Sequence, residues 1–130
     1  MIVVDASALL ETLLRTPSAA AIERRLLHPR ETLHAPHLLD VEVAQVIRRY
    51  AASGEITAVR GRTALADLND FPLRRYPHDF LLSRVWELRN NLTAYDAVYV
   101  ALAEALDAPL ITRDRRLAGA TGHYARIEVV

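Results

Sequence analysis

Short apolar runs alternate along this chain with longer segments whose apolar positions recur at helical spacing. Residues 2–4 read IVV, a β-branched run typical of a buried strand, and a helical pattern begins near Ala8. The same alternation repeats down the chain. It predicts strands at residues 2–4, 32–35, 73–76, 110–112 and 126–130, and helices at 19–27, 37–53, 58–68 and 93–106.

Capping residues indicate where several of these helices begin and end. Thr16-Pro17 predicts an N-cap followed by a first-turn proline, just before the second helix. Gly54 stands where a C-cap glycine belongs. Asp79 predicts the N-cap of a further helix that continues through residues 86–89. Most of the predicted strands are therefore followed by a helix.

Apolar strands that alternate with helices indicate an α/β fold whose central sheet is mainly parallel and flanked by helices. A chain of 130 residues has the usual length of one domain. No internal repeat, low-complexity tract or linker interrupts it. We therefore predict a single domain over residues 1–130.

The composition excludes several classes of site. The chain has no cysteine, so any metal must be held by carboxylates or by the five histidines, which show no metal-ligand spacing. All sixteen basic residues are arginine, so a phosphate-loop lysine and a Schiff-base lysine are absent. The formal net charge is +0, which means that any nucleic-acid binding must be local.

Membrane association is not predicted. No apolar run approaches the roughly 20 residues that cross a bilayer. The N-terminus passes from Met1 into IVV with no basic leader and no signal-peptide cleavage site of small residues. We therefore expect a cytoplasmic protein.

Four acids far apart in the sequence are predicted to meet at one edge of the sheet. Asp5 and Asp114 follow predicted strands, and Glu42 and Asp96 lie in the first turns of predicted helices. In a parallel α/β unit, the carboxyl ends of strands and the amino ends of the following helices share one edge. The four carboxylates therefore form a candidate site, provided that their strands are parallel neighbours.

Crowded carboxylates repel one another, and a cation relieves that repulsion. Oxygen-only ligands favour Mg²⁺ or Mn²⁺. Such an ion binds a phosphate oxygen and lowers the pKa of a bound water, which suits hydrolysis of a phosphodiester. A remaining acid could orient or deprotonate the attacking water.

Each acid also has an ordinary structural explanation. Asp5 could be a turn or cap residue, Asp114 a surface ion-pair partner, and Asp96 a capping residue three positions after Thr93. Glu42 could belong to a mostly solvated face of its helix. Asp40 and Glu42 lie about 200° apart on their helix, so only one of them faces the crevice. The spacing alone does not choose between them.

At these residues the chain resembles the PIN-domain ribonucleases, in particular the VapC toxins of toxin-antitoxin pairs. The resemblance covers essentially the whole chain and is carried by MIVVDASAL, HLLDVEVAQVIRR, NLTAYDAVYVALAEAL and PLITRDRRLA. It places the acidic residues of the family on Asp5, Glu42, Asp96 and Asp114, and it prefers Glu42 to Asp40. The family often has small hydroxyl residues near the metal, here Ser7 and Thr93.

The resemblance implies a PIN-like fold and a catalytic set in which Asp5 and Asp96 hold the metal. It further implies Mg²⁺ or Mn²⁺ as cofactor, endonucleolytic cleavage of RNA, homodimerisation, and inhibition by a cognate antitoxin. The toxin of a type II toxin-antitoxin pair is thus the first hypothesis.

Two other functions are alternatives to this hypothesis. A phosphatase or phosphoacceptor domain that uses Asp5 fits the sequence poorly, because the chain has no second acid two residues after Asp5 and no lysine. A catalytically weak or inactive PIN-like module would act by partner binding alone, with Tyr50, Phe80 and Trp86 lining a groove, although core packing is the simpler explanation of these aromatics. Arginines that could contact RNA are Arg48, Arg49, Arg74, Arg75, Arg113, Arg115 and Arg116.

Overall fold

A five-stranded sheet lies at the centre of the structure, a computed structural model that describes residues 1–130. Its strands stand in the order β3-β2-β1-β4-β5, and every neighbouring pair is parallel. The strands are β1 (Ile2–Val4), β2 (Leu33–Pro36), β3 (Leu73–Tyr76), β4 (Leu110–Thr112) and β5 (Ile127–Val129). The α/β class with a parallel sheet is therefore confirmed.

Seven helices flank the sheet. They are α1 (Ala6–Leu13), α2 (Ala19–Leu26), α3 (Leu38–Ala52), α4 (Ala58–Asp70), α5 (Leu82–Glu87), α6 (Ala94–Leu106) and α7 (Arg115–Ala118), with a short 3-10 turn, Asp79–Leu81, before α5. None of these helices is long and apolar enough to cross a membrane.

The strand order reverses direction between β1 and β4. The chain builds outward from β1 through β2 to β3, and then returns to the other side of β1 to add β4 and β5. Val3 pairs with His34 on one side and with Leu110 on the other. In parallel α/β sheets, ligands bind outside the carboxyl ends of the strands at such a reversal. The fold therefore puts a crevice where β1 and β4 end.

The core is continuous and passes through the middle of the sheet. Residues 2–4 and 110–111 are completely buried, as expected for central parallel strands that are covered on both faces. In α6 every residue from Ala97 to Ala103 is buried, so this helix is covered on most sides. The α6 helix thus supports the strands that carry the crevice.

Several expectations about local structure are wrong. Thr16 is not an N-cap: its hydroxyl donates to the Glu11 carboxylate, and Ser18 precedes α2 instead. Asp79 begins the 3-10 turn and caps nothing, since His78 holds the N-cap position. Phe80 and Trp86 are 55% and 67% exposed, so core packing does not explain them. The short helix α7 was not predicted.

Candidate active site

The four predicted acids lie around one crevice at the carboxyl edge of the sheet. Asp5 follows β1, Asp114 follows β4, and Glu42 and Asp96 stand in the amino-terminal turns of α3 and α6. The charges of Asp5 and Asp96 raise the pKa of Glu42, and those of Asp5 and Asp114 raise the pKa of Asp96. Part of the crevice is a cavity of about 310 Å³ between residues 91–96 and 114–120, whose lining includes Asp96 and Asp114.

Asp5 is held rigidly at the junction of β1 and α1. Its backbone N–H donates to the Ile111 carbonyl at 2.9 Å, which continues the sheet for one residue. The hydroxyls of Ser7 and Thr112 donate to Asp5 Oδ2 at 2.6 and 2.8 Å. Both bonds reach the same oxygen, and no hydrogen bond of the structure reaches Oδ1. One carboxylate oxygen therefore remains free to bind a ligand.

Thr112 is a site residue that the sequence pattern did not single out. Its side chain is completely buried at the end of β4, where it donates to Asp5 and accepts from the Asp114 N–H at 3.0 Å. Ser7 acts similarly, because its oxygen accepts from the Arg113 N–H at 3.0 Å. The one polar residue of an otherwise apolar strand was the clue, since buried hydroxyls need partners.

Tyr99 holds Glu42 near Asp5 and Asp96, where it also lines a second cavity with Val41 and Tyr95. The Tyr99 hydroxyl donates to Glu42 Oε1 at 2.6 Å from a ring that is only 1% exposed. Burial raises the pKa of Glu42, and the negative charges of Asp5 and Asp96 raise it further, while the Tyr99 hydrogen bond acts in the opposite direction. Burial and the same anionic surroundings raise the pKa of Tyr99, so its hydroxyl stays protonated and donates.

Asp40 points away from the crevice. Its Oδ2 pairs with Arg75 Nε at 2.7 Å, and the same guanidinium donates to the carbonyls of Leu73 and Leu68. Arg75 thereby ties the start of α3 to β3 and to the end of α4. The choice between Asp40 and Glu42 is made by this tertiary contact.

Asp96 combines the two explanations considered for it. The Thr93 hydroxyl caps α6 by accepting from the Asp96 N–H at 3.2 Å. Asp96 at the same time lines the crevice. Burial raises the pKa of Asp96, and the charges of Asp5 and Asp114 add to that effect, whereas Thr93 and Arg116 oppose it. The carboxylate is therefore crowded by other anions.

Asp114 serves as the N-cap of α7. Its Oδ1 accepts from the Arg116 N–H at 2.9 Å, and the Arg116 side chain approaches the same oxygen at 3.5 Å. The ion pair considered for Asp114 is thus present but long. None of the ion pairs of the structure includes Asp5, Glu42 or Asp96.

The donor set suits a hard divalent cation. Nothing basic neutralises three of the four carboxylates, and an oxygen of Asp5 is free of hydrogen bonds. No three acidic or histidine side chains surround a single point closely enough to chelate an ion between them. Mg²⁺ keeps several waters and takes only one or two protein carboxylates, so it needs no complete protein cage.

The chain is similar to proteins of one known family. The PIN domain family model matches residues 2–122. Ribonuclease VapC12 of Mycobacterium tuberculosis is 45% identical over 130 residues, which cover 100% of this chain and 99% of that protein.

Two solved structures share the fold. PAE2754 from Pyrobaculum aerophilum superposes with a TM-score of 0.70 at 31% identity, covering 98% of this chain and 83% of that one. The Rickettsia felis VapBC2 complex, bound to a DNA fragment from its promoter, contains a chain that matches with a TM-score of 0.72 at 14% identity, covering 100% of this chain and 99% of that one. The chain belongs to the PIN-domain family, and within it to the VapC ribonucleases.

Proposed function

We propose that the chain is a Mg²⁺-dependent endoribonuclease that hydrolyses RNA phosphodiester bonds at its four-carboxylate crevice. One observation carries the proposal: Asp5, Glu42 and Asp96 crowd one edge of the sheet with no cationic partner, in a chain of the VapC family. Such mutual repulsion destabilises the fold unless a cation offsets it. Proteins retain an unfavourable arrangement of this kind where function requires it.

Asp5 and Asp96 are the residues that would hold the ion, with Mn²⁺ as a substitute for Mg²⁺. When bound, the ion supplies charge stabilisation at a phosphate oxygen and a water of lowered pKa. Glu42 and Asp114 would orient the attacking water and accept its proton. The raised pKa of Glu42 makes its carboxylate a stronger base than an ordinary glutamate.

The surrounding hydroxyls keep the carboxylates in place. Ser7 and Thr112 fix one oxygen of Asp5, and Tyr99 fixes one oxygen of Glu42, so each acid has its second oxygen available. Contacts of this kind set the orientation of metal ligands and bases. The hydroxyl set therefore prepares the site before RNA arrives.

A matched pair of substitutions in α3 tests the activity. Purified protein is incubated with structured RNAs and Mg²⁺, and cleavage products are mapped by their ends. Glu42→Gln is expected to lower kcat by about 100-fold or more, because it removes the acid that faces the crevice. Asp40→Asn, two residues away but directed at Arg75, is expected to cleave like the unaltered chain.

Chelation of the metal with EDTA is expected to abolish cleavage, and Mn²⁺ to restore it. Cleavage that persists in an Asp5→Ala, Asp96→Ala double variant would sink the assignment. An inactive module that acts only by partner binding would cleave no RNA under any of these conditions.

The toxin role and its partner form a second part of the proposal. In cells, we expect the chain to be inhibited by a cognate antitoxin whose C-terminal segment covers the crevice. Its family membership and its structural similarity to VapBC2 support this expectation. Expression alone should arrest growth, co-expression with the product of the adjacent gene should restore it, and Glu42→Gln should be harmless alone.

A homodimer is proposed from the exposed apolar side chains beside the crevice. Val41 and Tyr95 are 67% and 63% exposed on α3 and α6, and Trp86 is exposed on α5. Exposed apolar patches of this kind mark interfaces between proteins. Light scattering should give twice the chain mass for the unaltered protein, and Trp86→Arg should shift it toward the monomer. A monomeric unaltered protein would contradict this.

A further inference from the structure

One arginine borders the carboxylate crevice without being used by the fold. Arg116 lines the cavity that Asp96 and Asp114 also line, on the wall formed by residues 114–120. Its side chain is 92% exposed, and its only carboxylate contact, with Asp114, is 3.5 Å long. The donors of this guanidinium therefore remain available to a ligand in the crevice.

Two other candidate arginines are occupied by structural contacts. Arg113 donates to the Val130 carbonyl at 2.7 Å and lies 3.5 Å from Glu11. All three guanidinium nitrogens of Arg75 donate hydrogen bonds, one to Asp40 and two to backbone carbonyls. Neither guanidinium is free to turn toward a ligand without breaking contacts that hold the fold together.

The remaining arginines lie elsewhere. Arg74 stacks on Tyr76 and lines a different cavity, of about 650 Å³, at the amino edge of the sheet. Arg48 and Arg49 stand six and seven residues beyond Glu42, which is about 9–10 Å further along α3. Arg115 is exposed on α7 but does not line the crevice. Arg116 is thus distinguished from these by position.

An anionic crevice creates a difficulty for an anionic substrate. RNA carries a phosphate at every nucleotide, and one divalent cation offsets only two of the charges that four carboxylates can bear. A cation at the rim reduces the remaining repulsion. Arg116 already opposes the negative potential at Asp96.

We propose that Arg116 is a substrate-binding residue, whose guanidinium pairs with the non-bridging oxygens of a phosphate of the RNA strand in the crevice. This inference rests on the proposed ribonuclease function. Arginine suits the role because its planar donors match two phosphate oxygens. The contact is made before and during the reaction, so it serves binding more than the chemical step.

The test compares Arg116→Ala with Arg115→Ala, which removes the same charge from the neighbouring position of α7. With the RNA that is cleaved best, Arg116→Ala is expected to raise KM about tenfold and to change kcat little, as for the loss of one charged contact. Arg115→Ala should change KM much less. Arg116→Lys should recover most of the loss because lysine still binds phosphate as a point charge.

Binding is measured independently by fluorescence anisotropy of a labelled RNA, with Ca²⁺ in the buffer in place of Mg²⁺. The slope of log Kd against log salt should become shallower by about 0.7 in Arg116→Ala and less in Arg115→Ala. Equal effects of the two alanine variants, or no effect of either, would overturn the role of Arg116. Absence of cleavage by the unaltered chain would refute the ribonuclease proposal instead, and the anisotropy result would still decide the role of Arg116.

Discussion

At the scale of single residues, the crevice contains side chains placed against their own electrostatic preference. Asp96 is crowded by the charges of Asp5 and Asp114, and burial adds to the cost of its ionised form. The only nearby cation, Arg116, is nearly all in solvent. In the metal-free protein these carboxylates therefore lower the stability of the fold.

Replacing one of them should stabilise the metal-free protein. We expect Asp96→Asn to raise the melting temperature by about 2–5 °C in EDTA, because the amide removes a negative charge and keeps the shape. Mg²⁺ should raise the melting temperature of the unaltered chain but not that of the variant. Thermal denaturation with and without Mg²⁺ checks both effects, and a variant that melts lower in EDTA would contradict the electrostatic account.

His34 gives the stability a pH dependence that is independent of the crevice. Its ring is 5% exposed, and its two nitrogens bond to the Thr32 hydroxyl at 2.8 Å and to the Tyr76 hydroxyl at 2.7 Å. Burial lowers the pKa of His34, assisted by the charges of the N-terminus and Arg74. The unfolded chain therefore takes up its proton first as the pH falls.

The consequence is a loss of stability on the acid side. The contribution of His34 is complete above about pH 6.5, the pKa of an unfolded histidine, and is lost as the pH falls toward the depressed folded value. Urea unfolding at about pH 7.5 and about pH 5 should show a larger loss of unfolding free energy in the unaltered chain than in His34→Gln. An equal loss in both proteins would refute this explanation.

At the scale of elements, the loop between α7 and β5 is fastened to the helices that form one crevice wall. Arg84 of α5 makes two hydrogen bonds to the Glu104 carboxylate of α6, both 3.0 Å long, and a third to the Gly122 carbonyl at 3.2 Å. Asn91 donates to the Thr121 hydroxyl at 3.2 Å. The loop thereby closes one end of the crevice.

Gly122 is required at that closure. Its φ is +86°, and a Cβ there would lie 2.8 Å from Asn91 Oδ1. Gly122→Ala is expected to cost about 1–2 kcal/mol or more, from strain and from displacement of Asn91. Gly119→Ala, where the nearest atoms would be 3.7 Å away, should change stability by less than about 0.5 kcal/mol. Denaturant unfolding compares the two, and equal costs would contradict the argument.

The helices and strands differ in how well they could be predicted from the sequence. The strands β1 and β4 were predicted at their observed bounds because these completely buried parallel strands are apolar at every position except Thr112. The helix α7 was missed because only Leu117 among its four residues is buried, and its start depends on the Asp114 cap. The predicted N-cap of α2 was wrong because the Thr16 hydroxyl donates to the Glu11 carboxylate and does not cap the helix.

The same contrast holds for the site. Topology alone brings the ends of β1 and β4 together, so Asp5 and Asp114 could be placed from the sequence. Helical spacing did not choose between Glu42 and Asp40, and only the family resemblance preferred Glu42. In the structure, contacts with Tyr99 and Arg75, which come from distant parts of the chain, orient the two acids. Such contacts depend on how helices pack on the sheet and leave no trace in local periodicity.

At the scale of the whole molecule, the two edges of the sheet have different roles. At the amino edge, opposite charges are paired: Glu31 binds both the N-terminal ammonium and Arg25, and Arg25 also pairs with Glu128 of β5. At the carboxyl edge, Asp5, Glu42 and Asp96 meet without an ion-pair partner, and only Asp114 has one, Arg116. A formal net charge of +0 thus conceals a strongly anionic crevice.

Binding of a divalent cation at this edge, through Asp5 and Asp96, is central to the proposed function. Calorimetric titration of Mg²⁺ into the purified protein tests it most directly. The unaltered chain and Asp40→Asn should bind Mg²⁺ with the same affinity, whereas Asp5→Asn and Asp96→Asn should bind it at least about tenfold more weakly. Mg²⁺ affinity that is unchanged in both crevice variants, or absent from the unaltered chain, would contradict the account.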